Sequence, residues 1–119
     1  MLSTKNKWDA WELIAIKYLQ KYNYIIKDTN FKFGRFWEVD IVAFLDWVTV
    51  FIEVKYRNNK HYWEVEESIT KQKLFKFKKT IEYYTVKNHL SFEKIRFDVI
   101  TILKWEKSYK LKHYKNLEI

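Results

Sequence analysis

Two short segments carry acidic residues and a lysine at a spacing that could bind a metal ion: Glu38, Asp40, Glu53 and Lys55. Residues 37–44 and 50–57 are rich in β-branched and aromatic side chains, which predicts the two strands of an antiparallel hairpin. Side chains alternate between the two faces of a strand, so within each segment these charged residues share one face. The pattern therefore predicts a charged patch on an otherwise apolar hairpin.

The predicted register brings like charges together. If the turn is centred on residues 46–47, Asp40 lies opposite Glu53, and Glu38 lies opposite Lys55. Opposed residues have Cβ atoms about 5 Å apart, where like charges are destabilising. A divalent cation between Asp40 and Glu53 is the simplest compensation, because hard cations bind carboxylate oxygens. The turn contains no glycine, which argues against a tight two-residue turn with positive φ and allows a looser loop that could shift this pairing.

A fourth carboxylate precedes the hairpin on a predicted helix. Apolar residues recur every three or four positions over residues 7–22, as on one stripe of an amphipathic helix. Glu12 lies on or beside that stripe. It either keeps its carboxylate in water at the margin of the stripe or leans toward the acidic patch of the sheet.

The remaining segments predict an α/β fold. A strand over residues 24–33, with a bend or bulge at residues 28–30, leads through Gly34 into the hairpin. A second helix begins at residue 66 or 68 and ends at residue 86, and strands follow over 95–102 and 109–114. The order αβββαββ predicts a mixed β-sheet flanked by helices, within a single domain over residues 1–119.

Composition narrows the class of partner. The chain has 119 residues, 48% of them hydrophobic, which excludes disorder, and no apolar run approaches the roughly 18 residues of a membrane span. The absence of cysteine and of an apolar N-terminal region predicts a cytoplasmic protein without a signal peptide. The net charge of +8 favours polyanions such as nucleic acids, although a general bias toward lysine would give the same excess. Five lysines of the second helix either form a solvated face or contact phosphates: Lys71, Lys73, Lys76, Lys78 and Lys79.

The spacing of the acidic residues matches a nuclease pattern. Asp40 is followed thirteen residues later by Glu53, and then by one residue and Lys55, as in the D…E-x-K pattern of the PD-(D/E)xK superfamily. Alone, this pattern is weak, because two acids and a lysine at a loose spacing occur by chance in many basic proteins. Its position on two adjacent strands, after a helix that carries Glu12, is the context that the chemistry requires.

An ordered set of further motifs resembles the YraN-like family of small bacterial proteins. The matching positions are Glu12, Ala15, Tyr18, Leu19, Asn30, 38–43, 51–57, 68–70, Lys73, 96–100 and 113–116. The family is regarded as predicted endonucleases of restriction-endonuclease-like fold, similar to archaeal Holliday-junction resolvases. This chain departs from the family in carrying Trp11 and Trp37 where glycines are usual, which puts the fit of a substrate near those positions in doubt.

The resemblance implies specific roles. Asp40, Glu53 and the carbonyl of Val54 would hold Mg²⁺ or Mn²⁺, and Glu12 would bind that ion through water or hold a second one. Lys55 would act with these carboxylates as a catalytic residue; it would orient the water nucleophile and offset charge in the transition state, since neighbouring carboxylates favour its charged form over a role as base. Four residues around the cleft would bind DNA phosphates: Arg57, Lys71, Gln72 and Lys73. Glu38 matches the family without an assigned role.

Other interpretations stay open from the sequence. The chain could be a nucleic-acid-binding module that keeps the nuclease fold without cutting, or a protein-interaction domain with an incidental basic face. Asp40, Glu53 and Lys55 could also form only a structural ion cluster at the surface. If the substrate is a four-way junction, resolution needs two cuts and therefore a homodimer.

Overall fold

A mixed five-stranded sheet forms the centre of the computed structural model, which describes residues 10–57 and 71–119. Its elements in chain order are α1 (Ala10–Lys21), β1 (Ile25–Phe31), β2 (Val39–Leu45), β3 (Val48–Arg57), α2 (Lys71–Lys87), a 3-10 turn (Phe92–Lys94), β4 (Ile95–Trp105) and β5 (Ser108–Tyr114). The strands follow each other across the sheet in sequence order, and only the β3–β4 pair is parallel. The predicted αβββαββ order and α/β class are confirmed.

The two helices pack on opposite faces of the sheet. Alternating residues of β3, of β4 and of β2 from Ile41 to Ala43 contact either α1 or α2, as the period of a strand requires. The core against α1 includes Ala15 and Leu19, and the core against α2 includes Phe77 and Ile81. Helix α2 also supplies the long connection that a parallel pair of strands needs between β3 and β4.

The β2–β3 hairpin has the predicted pairing but not the predicted kind of turn. Leu45 pairs with Val48, and the ladder continues in register to Ile41 and Ile52. Residues 46 and 47 form a tight two-residue turn with φ of 51° and 70°, so the expectation of a looser loop is wrong. Aspartate tolerates the left-handed region, and the following tryptophan is 80% exposed, so its side chain extends into solvent.

The strand before the hairpin contains the predicted irregularity. The pairing of β1 with β2 shifts between Ile26 and Asp28, as at a β-bulge, and Asn30 has a φ of 52°. Gly34 follows with a φ of 59°, in a turn where the amide of Phe36 donates to the carbonyl of Phe33 at 2.9 Å. Both features reorient the chain just before the acidic segment.

Several predicted boundaries differ from the structure, and others lie outside the described residues. β4 runs to Trp105, three residues beyond the predicted end, because β5 pairs with it as far as Ser108. The predicted starts of the two helices, and the motif residues 68–70, lie outside the described residues. No helix within the described ranges is long and apolar enough to cross a membrane.

Candidate metal-binding and catalytic site

Asp40 and Glu53 lie side by side where the β2–β3 ladder ends. They follow the last pair, Ile41 with Ile52, and lie near enough for the charge of Glu53 to act on the carboxyl group of Asp40. The amide of Val54 donates to Oδ2 of Asp40 at 2.8 Å, which fixes that carboxylate against β3. Glu53 is buried, with 6% exposure. The structure thus brings together the two acids that the register predicted.

Burial and mutual repulsion make this pair costly to ionise. Burial raises the pKa of Asp40 most, and the charge of Glu53 adds to the rise, bringing it to about 8, while the bond from Val54 opposes the shift. Burial also raises the pKa of Glu53, against the lowering influence of Lys55. A positive charge placed between the two carboxylates would relieve this cost.

Lys55 and Trp37 hold Glu53 from two sides. The Nζ atom of Lys55 lies 3.3 Å from Oε2 of Glu53, and Nε1 of Trp37 donates to Oε1 at 3.3 Å. The ring of Trp37 also lies 5.8 Å from Nζ of Lys55 and 5.7 Å from Nζ of Lys73, within the range of cation–π attraction. The sequence flagged Trp37 only as a departure from a family glycine and did not predict that it contacts Glu53.

Asp40 also belongs to a second cluster of carboxylates, together with Glu12 and Glu38. One oxygen from each of Glu12, Glu38 and Asp40 lies within 4.8 Å of the others. Asn30 joins two of them, because its Nδ2 donates to Glu12 at 3.2 and 3.3 Å and to Glu38 at 2.6 Å. Of the two expectations for Glu12, the structure supports the one in which it leans toward the sheet.

Glu38 does not face Lys55. β2 begins at Val39, so Glu38 precedes the ladder that was expected to set it opposite the lysine. Its contacts are instead with Asn30 and, at 3.8 Å, with Lys32. The expected Glu38–Lys55 pairing is wrong because the hairpin ladder ends before it reaches that position.

Asn30 is one of the positions that resemble the family, and the resemblance implies no role for it. It lies between two pairs of the β1–β2 ladder, Thr29 with Ile41 and Phe31 with Val39, and is therefore opposite Asp40. Its positive φ occurs within a strand, where such a conformation is uncommon outside asparagine, aspartate and glycine. An asparagine at a strand bulge, next to an acidic segment, is the sequence signal that could have identified it.

The donor set fits a hard divalent cation. Asp40 belongs to both the pair with Glu53 and the group with Glu12 and Glu38, so three other carboxylates lie around its side chain. Oxygen ligands of this kind suit Mg²⁺ and Mn²⁺. The pair of half-buried Asp40 and buried Glu53 supplies the negative charge that such an ion would offset.

The residues predicted to bind phosphate are placed differently with respect to this site. Lys73 borders it through its contact with Trp37. Lys71 and Gln72 lie exposed in the first turn of α2. Arg57 ends β3, with its guanidinium donating to the carbonyl of Tyr56 at 2.8 Å. Lys73 therefore joins the residues around Glu53, whereas Lys71 and Gln72 face solvent.

A separate buried charge lies on the α1 face of the sheet. Asp98 has no solvent exposure and accepts hydrogen bonds from Arg96 at 2.8 and 2.9 Å and from the amide of Asn116 at 2.9 Å. His113 contacts it at 2.7 Å, and the hydroxyl of Tyr18 lies 2.9 Å from the other ring nitrogen. This network ties β4, β5 and α1 together through residues that the sequence placed in family motifs without a role.

Comparison with known proteins gives one family. The model of the uncharacterised protein family UPF0102 matches residues 11–102. A UPF0102 protein of Sulfurihydrogenibium sp. (strain YO3AOP1) is 36% identical over 104 residues, covering 87% of this chain and 89% of the relative. One from Clostridioides difficile (strain 630) is 33% identical over 115 residues, covering 97% and 98%. One from Aliarcobacter butzleri (strain RM4018) is 37% identical over 100 residues, covering 84% and 88%.

The matched region spans α1 to β4 and includes all four clustered carboxylates. The names of these relatives state no activity. The chain belongs to the UPF0102 family, the family of YraN-like proteins that its ordered motifs resemble.

Proposed function

We propose that this chain is a metal-dependent endonuclease that hydrolyses phosphodiester bonds in DNA, with branched or junction DNA as the candidate substrate class. The observation that carries the proposal is the pair of half-buried Asp40 and buried Glu53, with Lys55 at 3.3 Å from Glu53. Two adjoining carboxylates, one with a strongly raised pKa, are more typical of a functional site than of a structural ion cluster at the surface.

The four carboxylates would form two sets of metal ligands that have Asp40 in common. Asp40 and Glu53 form one candidate set, and Asp40 with Glu12 and Glu38 forms the other. A bound Mg²⁺ or Mn²⁺ supplies Lewis-acid chemistry that activates water and offsets charge on the scissile phosphate. Asn30 keeps Glu12 and Glu38 in place by donating to both, and the amide of Val54 does the same for Asp40.

Lys55 would position the nucleophile. Its side chain is 15% exposed and forms an ion pair with Glu53, which fixes the position of its ammonium group beside the carboxylates. An ammonium there can donate to an attacking water and to a phosphate oxygen as negative charge develops. Trp37 would hold Glu53 from the other side by its N–H donor.

Affinity for the substrate would come mainly from the basic residues around the site. Lys73 contacts the ring of Trp37, and Arg57, Lys71 and Gln72 lie at the end of β3 and the start of α2. Contacts of this type bind phosphates regardless of sequence and weaken with salt. A nucleic-acid-binding module without catalysis would use the same residues, so cleavage itself has to be measured.

The test compares cleavage of linear, flapped and four-way DNA in Mg²⁺, in Mn²⁺ and in EDTA. We expect cleavage in either metal and none in EDTA. Asp40→Asn and Glu53→Gln should each lower the rate at least about 100-fold, as loss of a metal ligand would, while DNA binding is retained. Glu93→Gln, an exposed acid in the 3-10 turn, is the matched control and should cut normally.

Two outcomes would overturn the proposal. Cleavage that continues in EDTA, or at full rate in Asp40→Asn, would place the activity elsewhere. Binding without cleavage of any of the three DNAs in either metal would support the non-catalytic module instead.

A further inference from the structure

The face of the sheet that carries Glu53 continues across two more strands as a basic strip. In the β3–β4 and β4–β5 ladders, paired residues share a face. One row across the strands is Lys55, Thr101 and Lys112, and the next is Arg57, Leu103 and Lys110. Cationic side chains therefore lead from the candidate site toward the edge strand.

The β4–β5 hairpin extends this face beyond the end of β3. The last β3–β4 pair is Arg57 with Leu103, whereas β4 and β5 remain paired to Trp105 and Ser108. The extension borders an open groove of about 490 Å³, lined by Leu103, Trp105, Ser108, Tyr109, Lys110 and Lys112. Glu53 pairs with Val99 of β4, and Trp105 follows six residues later on the same strand. The rise per residue of a strand makes the distance between these two positions about 20 Å.

The groove combines two kinds of side chain that favour a nucleic acid. Trp105 is 53% exposed and shares its face of the hairpin with Lys110 and Lys112, which are also exposed. Tyr109 pairs with Lys104 and so belongs to the other face, at the border of the groove. None of the lining residues in the described part of the chain is acidic. Aromatic rings beside lysines are the components of surfaces that stack bases and hold the phosphates between them.

We infer that this groove binds an unpaired DNA strand that leaves the candidate cleavage site, with a base stacked on Trp105 and phosphates held by Lys110 and Lys112. The inference rests on the proposed nuclease function and narrows its substrate to DNA with a single-stranded arm. A continuous duplex hides the faces of its bases, so it would leave the exposed ring of Trp105 without a partner.

A second copy of this chain fits the groove less well. A twofold interface built on this hairpin would bring the same lysines of each copy toward each other. An unpaired strand supplies the opposite charge, so charge complementarity favours DNA as the occupant. Self-association through the hairpin is kept as an outcome of the test.

The test measures binding separately from cutting. Fluorescence anisotropy in EDTA gives the Kd for a blunt duplex and for the same duplex with a single-stranded arm. We expect Trp105→Ala, and the double substitution Lys110→Gln with Lys112→Gln, to weaken binding of the armed DNA roughly tenfold and to change the blunt duplex less than twofold.

Two variants serve as matched controls at the far end of the sheet and on the 3-10 turn. Trp47→Asn removes an exposed tryptophan from the β2–β3 turn, and Lys94→Gln removes an exposed lysine. Neither should alter either Kd. Light scattering at the same concentrations checks whether Trp105→Ala changes the oligomeric state.

The outcomes separate this inference from the proposed function. Equal losses on both DNAs, no loss on the armed DNA, or a dimer that Trp105→Ala dissociates would overturn the inference. If wild type cuts in Mg²⁺ and Trp105→Ala cuts armed DNA equally well, the nuclease proposal stands and the groove is not used. If the armed DNA loses affinity as expected but wild type cuts nothing, the groove binds DNA and the proposed catalysis fails.

Discussion

Asp98 shows how one buried charge can stabilise three elements of this fold. Burial alone would raise its pKa, but hydrogen bonds from His113, Arg96 and the amide of Asn116 together lower it. The ionised form is therefore the one that the folded protein favours. Because the carboxylate is fully enclosed, removing its charge leaves Arg96 without its main partner.

We predict that Asp98→Asn lowers the free energy of unfolding by about 3 kcal/mol at neutral pH, measured by urea titration. Since the folded pKa lies below the ordinary value of 3.8, this stabilisation is complete above that value. It is lost as the pH falls through the folded pKa, so the difference between wild type and variant should narrow in acid. Asp46→Asn, in an exposed turn, is the control; an equal loss there, or a difference that grows in acid, would contradict the prediction.

The residues of the candidate site could be predicted only in part. Asp40, Glu53 and Lys55 follow from the alternation of two strands and from a count across the turn, which are local properties of the sequence. The contacts of Trp37 and Asn30 depend on a loop and on a left-handed strand residue. Neither conformation follows from the periodicity of apolar residues along the chain. The contacts of Trp37 with Glu53 and of Asn30 with Glu38 were therefore not predicted.

At the scale of elements, the β2–β3 turn sets the register on which the site depends. Asp46 and Trp47 both have positive φ, so two residues suffice to close the hairpin and Asp40 follows next to Glu53. A shift by one residue would turn every side chain of β2 to the other face. The prediction of this register was correct although the expected turn geometry was not, because the count of residues between the strands is the same in either case.

We predict that Trp47→Gly is more stable than Trp47→Ala by about 1 kcal/mol. The Cβ atom of an alanine is crowded in the left-handed conformation, and a glycine has no Cβ. Both variants lose the ring contact with Phe44, so their difference isolates the backbone. Thermal or urea unfolding gives the two values. At Lys107, whose φ is not positive, the same pair of substitutions should favour alanine or show no difference. A preference for alanine at position 47 would contradict the turn geometry.

Helix α1 marks the limit of sequence prediction at this scale. Its apolar stripe predicts that it packs on the sheet, and Ala15 and Leu19 confirm that. The stripe does not predict where along the sheet the helix lies. Only the packed structure shows that Glu12 reaches Asn30 and so joins the carboxylates of the β1–β2 end.

Over the whole molecule, the two ends of β3 differ in character. The hairpin turn lies at its start, and the carboxylates, Lys55 and Arg57 lie toward its end. The parallel partner β4 runs in the same direction and carries the exposed Trp105 at its own end. The order and direction of the strands therefore place the candidate catalytic residues and the basic groove on the same side of the sheet. The element order αβββαββ already favours this arrangement.

Metal binding should be visible in the stability of the whole protein, independently of any cleavage. The fold holds Asp40 and Glu53 together against their repulsion, and a cation that binds only this folded arrangement stabilises it by mass action. We predict that Mg²⁺ or Mn²⁺ raises the Tm, by an amount equivalent to about 2.7 kcal/mol when the ion is at 100 times its Kd, and that EDTA reverses the rise.

Asp40→Asn should abolish that rise, because Asp40 belongs to both carboxylate groups, whereas Glu93→Gln should keep it. Differential scanning fluorimetry with and without each metal measures both. An equal rise in Asp40→Asn would mean that the ion binds elsewhere on the protein. No rise in wild type at any concentration would mean that the carboxylates are satisfied by Lys55, Trp37 and Asn30 alone, in which case the cluster serves the fold and the nuclease proposal loses its physical basis.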